Sequence, residues 1–162
     1  MKRYTIGLIF ICISSLSFPQ SIESNARQIA KKEYPNDYSM QEYIYNNQVK
    51  AGRYMTSVRD IECKKIALKE YPFDYSMQKY IYKNQLEAKR YMKDYASDVE
   101  CIKIATREYP FDYSMQKYIY KNQLEAKLYM KQVKNLSAKR KAERQYPNDY
   151  SMQKYIYKQN NK

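Results

Sequence analysis

Six lysines are the residues of this chain best suited to meeting a ligand. They bracket the segment Lys79-Tyr-Ile-Tyr-Lys83, which returns as Lys117 to Lys121 and as Lys154 to Lys158. Cations four positions apart share one face of a helix. If the three segments stack, Lys79, Lys83, Lys117, Lys121, Lys154 and Lys158 line up as a cationic ridge. Such a ridge could track a polyanion, an acidic envelope glycan or a nucleic acid. The plainer expectation is that lysines on exposed helix positions serve solubility. Glu42 and Asn46 stand at the matching places of an earlier segment, which confines the ridge to the last three.

The other chemically capable side chains point away from catalysis. The sequence has no histidine to act as a base near neutral pH and no Cys/His cluster spaced for a metal. Past the N-terminal segment its only glycine is Gly52, so no phosphate-cradling loop exists. No catalytic, cofactor or metal residue is therefore assigned, and none of these ligands is expected. Cys63 and Cys101 occupy one register position, shared with Ala26 and Ala138. That position calls for a small buried side chain. Packed helices lie about 8–10 Å apart, beyond the Cα limit of about 7 Å for a disulfide, so two separate buried thiols are expected, with an inter-repeat bridge in an oxidising compartment as the alternative.

These residues are carried by a unit written four times. Tyr34-Pro-Asn-Asp-Tyr-Ser-Met-Gln recurs from Tyr71 and Tyr109 with Phe for Asn, and from Tyr146 with Asn again, at intervals of 37 or 38 residues. A fixed period of that length marks stacked supersecondary units that cannot bury their apolar faces alone. Before each Tyr-Pro lies a short amphipathic segment. In Asp60 to Tyr71, Ile61, Cys63, Ile66, Ala67 and Tyr71 fall on one face, and Asp60, Asp98 and Asn135 stand where an N-cap belongs. The first unit has Glu23 and Ser24 there, so its helix is expected to fray or to start elsewhere. Pro35, Pro72, Pro110 and Pro147 stop the first helix. Asp37, Asp74, Asp112 and Asp149 then cap a second one.

That second helix, Tyr75 to about Met92 in the second unit, shows two apolar stripes. One is a broad arc of Met77, Tyr80, Ile81, Ala88, Tyr91 and Met92, with Asn84 as an inter-repeat contact or the arc's edge. The other holds Tyr75, Tyr82 and Leu86. Two stripes imply neighbours on two sides. Tyrosines locked to five register positions (Tyr71, Tyr75, Tyr80, Tyr82 and Tyr91 in this unit) read first as core with hydroxyls at the rim. Stacking of sugars or bases is the functional alternative. The fold class expected is all-α: tandem helical-hairpin repeats of about 37 residues stacked as a short solenoid, with units of about 22–56, 57–94, 95–132 and a truncated 133–162.

The unit resembles short segments of the type [Trp/Tyr]-Pro-x-Asp-Tyr-x-Met-x-x-Tyr in bacterial helical-repeat proteins, over about fifteen residues of each unit. The resemblance implies no activity. Residues 1–21 read as a signal peptide, with Lys2 and Arg3 ahead of an apolar run that Pro19 ends too early for a membrane span. The chain carries 30 basic and 17 acidic residues, a net charge of +13 that favours anionic partners and solubility alike. Residues 71–93 and 109–131 differ only at Arg90 and Leu128, a near-identity that suits multivalent binding better than catalysis. The expectation is a secreted or periplasmic, non-enzymatic scaffold whose mature chain has no membrane span and whose partner is a macromolecule: a protein or an anionic envelope polymer, with nucleic acid less favoured. The alternative is a cationic binder of a polyanion.

Overall fold

The computed structural model describes residues 21–161; of the expected leader only Ser21 lies among them. They form eight helices: α1 (Ile22–Glu33), α2 (Tyr38–Ser57), α3 (Ile61–Glu70), α4 (Tyr75–Asp94), α5 (Val99–Glu108), α6 (Tyr113–Gln132), α7 (Leu136–Gln145) and α8 (Tyr150–Asn160). Short and long helices alternate, and the fold is an all-α repeat as the period requires.

The boundaries follow from the anticipated caps. Asp37, Asp74, Asp112 and Asp149 each accept from the amide three residues on, at 2.9–3.0 Å. Asp60, Asp98 and Asn135 do the same for α3, α5 and α7. Each short helix closes on its tyrosine, whose amide donates to the carbonyl four residues back, as Tyr71 does to Ala67 at 3.0 Å. The next residue is proline, and the helix ends.

The first unit neither frays nor keeps the common start. Ser21 caps α1, so the helix begins at Ile22, two residues before the position matching Ile61. Gly52 permits this extra length. A Cβ there would stand 2.6 Å from Ile22 Cγ2, so only glycine lets α1 close onto α2 without displacing Ile22.

Each short helix packs on its own long helix, and α2, α4, α6 and α8 pack side by side in one continuous layer. The core lies at the joints of this layer. Cys63 and Ala67 of α3 meet Tyr82 of α4 and Met55 of the preceding α2, and the next two joints repeat the pattern. No unit therefore buries its apolar face without its neighbour. Cys63 and Cys101 are free and fully buried. Burial, reinforced by the adjacent capping aspartates, pushes each thiol up to about 12.

Two face assignments are corrected. Ile61 is exposed, because it is the first residue of α3 and lies past the edge of the joint. Tyr80 does not join the core arc. With about 100° per residue, the burial of Tyr82 against α3 turns Tyr80 toward the opposite, open side of the layer, where it is 58% exposed.

Candidate macromolecule-binding face

The six lysines gather at the joints between units. Lys79 and Lys83 lie over the ring of Tyr54 at 5.2 and 5.7 Å, and Lys117 and Lys121 over Tyr91 at 5.1 and 4.9 Å. Lys154 and Lys158 both stand 5.3 Å from the Tyr129 ring. Each ring belongs to the preceding long helix and also meets a tyrosine edge from the following one. The pairs are Tyr54 with Tyr82, Tyr91 with Tyr120 and Tyr129 with Tyr157, at 6.2–6.3 Å. A cation held over an aromatic face is attracted by the ring quadrupole, so these lysines help to join repeats.

Within each pair the two lysines divide their work. The inner ones are half-buried, and two are ion-paired across the joint: Lys117 with Glu87 at 2.7 Å and Lys154 with Glu125 at 2.6 Å. These hydrogen bonds hold both carboxyls below their ordinary range. Lys79 has no acid, since Lys50 takes that place in the first unit. The outer lysines, Lys83, Lys121 and Lys158, are exposed, and no ion pair engages them among the described residues. The expected ridge of six therefore reduces to three outward cations.

Glutamines complete the joint, and sequence reasoning had passed over them. Gln78, last of the repeated octet, donates to the Tyr71 carbonyl at 2.6 Å, and Gln41, Gln116 and Gln153 do likewise within their own units. A second glutamine clamps the next unit. Gln85 donates to the capping Asp112 at 2.8 Å while its carbonyl accepts from the Tyr113 and Ser114 amides at 2.8 and 3.2 Å. Gln48 grips Asp74 and the Ser76 amide in the same way, and Gln123 grips Asp149, Tyr150 and Ser151. The inter-repeat polar contact thus belongs to Gln85 and not to Asn84.

On the short-helix side, Lys89 bridges Asp60 and Glu62 at 2.9 and 2.6 Å, and Lys127 bridges Asp98 and Glu100. Tyr113 and Tyr150 of the following units donate to Glu62 and Glu100 at 2.6 Å. Burial and that bond push the Tyr150 hydroxyl up to about 12. These groups satisfy one another. A groove of about 500 Å³ opens between α3 and the Tyr-Pro turn of the following unit, lined by Glu62, Lys65, Ile66, Lys69, Phe111 and Tyr113. Among the described residues no cluster of three or more His, Cys, Asp or Glu side chains is placed to hold a metal ion.

What remains uncommitted is the open side of the long-helix layer. Tyr43, Tyr80, Tyr118 and Tyr155 recur there in one register, 55–60% exposed. Lys83, Lys121 and Lys158 stand one turn along from the last three. None of these four rings takes an aromatic or cation partner, and none of their hydroxyls bonds within the described residues, so the row is built into neither core nor joint. The signal for it was a tyrosine kept in all four units at a position two residues from a buried one. No protein-family model matches the chain, and neither the curated proteins nor the solved structures offer a match to it.

Proposed function

We propose that this chain is an exported, non-enzymatic repeat scaffold that binds another macromolecule across the open face of its long helices. The observation that carries the reading is the in-register row of exposed tyrosines. Exposed aromatics rimmed by polar groups characterise interaction surfaces, and a long helix face that meets no partner among the described residues is available to one. A ligand that touches several equivalent rungs gains avidity from repetition alone.

Polyanion binding is the second reading, supported by the outward Lys83, Lys121 and Lys158. Capture from envelope extracts at two salt concentrations separates the two. A ligand held by charge loses affinity steeply between about 50 and 200 mM salt. A ligand held by tyrosines is retained at both, and is lost when Tyr80, Tyr118 and Tyr155 are changed together to serine. Changing the six lysines to glutamine should leave that capture largely intact. Capture indifferent to the tyrosines refutes the proposed face.

A further inference from the structure

We infer that the short-helix side docks on the surface of an anionic phospholipid bilayer, its phenylalanine and aliphatic side chains entering the interface and its lysines and arginines meeting the headgroups. This is the side that the proposed ligand of the tyrosine face leaves free, and neither reading depends on the other. Exposed apolar side chains are sorted between the two sides. Among the described residues the long helices expose tyrosines and Leu128. On the short helices Ile61, Leu68, Val99 and Leu136 stand 39–61% exposed, and on the turns after them Phe73 and Phe111 stand 69% and 82% exposed.

The cations follow the same register. An apolar residue with cations four and eight positions on is written in three units: Ile61, Lys65 and Lys69; Val99, Lys103 and Arg107; Leu136, Arg140 and Arg144. Residues four apart on a helix are turned by only about 40°, so each trio follows one strip, facing away from the buried Cys63, Cys101 or Ala138. All six cations are exposed. Nearby carboxylates are engaged by other lysines: Glu62 by Lys89, Glu100 by Lys127 and, at 3.9 Å, Glu143 by Lys139. The turns join the strips. Phe111 shares a groove with Lys65, Ile66 and Lys69, and Phe73 another with Ile29 and Lys32, where Asn25 fixes the turn by donating to the Phe73 carbonyl at 2.8 Å. Solubility explains lysines but not the apolar side chains kept in water beside them. A polyanion would meet the cations and leave the phenylalanine rings, which carry no polar atom, unused. At a bilayer surface apolar groups sink about 5–10 Å into the headgroup and acyl boundary, while Lys and Arg are drawn to anionic lipid. No helix among the described residues is long and apolar enough to cross a membrane, so the contact is interfacial.

The test sediments the chain with vesicles of phosphatidylglycerol and phosphatidylcholine, or of phosphatidylcholine alone. The full chain and the chain begun at Ser21 are both used, so that binding by the apolar run within residues 6–18 is subtracted. Sedimentation with the mixed vesicles only is expected, weakened about tenfold or more by Phe73→Ser with Phe111→Ser, and likewise by glutamine at Lys65, Lys69, Lys103 and Arg107 together. Tyr80→Ser with Tyr118→Ser should leave it unchanged. The chain has no tryptophan, so Phe111→Trp adds a single reporter, whose emission should move to the blue on mixed vesicles and be quenched by lipid brominated in its acyl chains. If the serine pair lowers the melting temperature, this emission decides. Absence of binding by the chain begun at Ser21, equal binding to phosphatidylcholine alone, indifference to the phenylalanines or an unshifted tryptophan each overturns the assignment. Loss in the tyrosine pair alone moves lipid to the long-helix side and overturns it too. If vesicles fail while envelope capture still needs the tyrosines, the lipid assignment falls and the proposed binding face stands.

Discussion

A primary amide offers a donor and an acceptor at one tip, and Gln85 uses both to fix the start of the next long helix. Replacing it by leucine removes a partner of Asp112 and leaves the Tyr113 and Ser114 amides without the acceptor they meet at 2.8 and 3.2 Å. Loss of such a buried contact costs about 1–3 kcal/mol. Urea denaturation should show Gln85→Leu destabilised by about 2 kcal/mol, and Asn84→Leu changed far less. A second residue-scale prediction concerns acid. Burial works to raise the Asp98 carboxyl, but hydrogen bonds from Lys127 and the Cys101 amide outweigh it and hold it at about 2. An ordinary aspartate titrates near 3.9, so the folded state binds this proton less readily than the unfolded one. The stability Asp98 contributes is complete above that value and is lost as pH falls through about 2. Asp98→Asn keeps a capping side chain and should give a shallower fall in melting temperature between about pH 4 and 2; an unaltered acid limb would assign that fall to other carboxylates.

At the scale of the helix, starts and stops were legible and faces were not. Asp at a fixed distance after Pro has one structural use, so Tyr-Pro-x-Asp dictates a stop and a cap wherever it stands. Tyrosine gives no such instruction: Tyr80 and Tyr82 are identical in type, recur in every unit, and lie on nearly opposite sides of α4. Only the position of α3, which buries Tyr82 beside Cys63 and Ala67, decides between them. The glutamines were hidden for a related reason, because glutamine is a good helix former and is ordinary on a surface. Their trace was in the divergent first unit, where Gln41 and Gln48 persist while lysine gives way to Glu42 and Asn46. The two tyrosines supply an element-scale prediction. Tyr82→Ala should cost about 3–5 kcal/mol, as deletion of a large buried ring does, and Tyr80→Ser should stay within about 0.5 kcal/mol. Thermal and urea unfolding of the two variants compare them directly; equal costs would place Tyr80 in the core after all.

At the scale of the whole molecule, the two sides of the repeat stack have different uses for the same residue types. Lysines and carboxylates on the short-helix side neutralise one another around Lys89 and Lys127, and the inner lysines Lys117 and Lys154 are held at the joints. In the first unit Tyr45 is covered by Arg27, whose guanidinium stands 3.8 Å from the ring and bonds Glu42 at 3.2 Å. Among the described residues, what recurs without an internal partner is the row from Tyr43 to Tyr155, crossing three helix spacings, or about 25–30 Å. The rival surface is the short-helix side, where Phe73 and Phe111 stand 69% and 82% exposed at the turns. Hydroxyl-radical footprinting of the chain, free and loaded with material captured from envelope extracts, distinguishes the two in one experiment. Protection of Tyr80, Tyr118 and Tyr155, with Phe73 and Phe111 as reactive as in the free chain, is the predicted result. Protection of the two phenylalanines with the three tyrosines unprotected would contradict it.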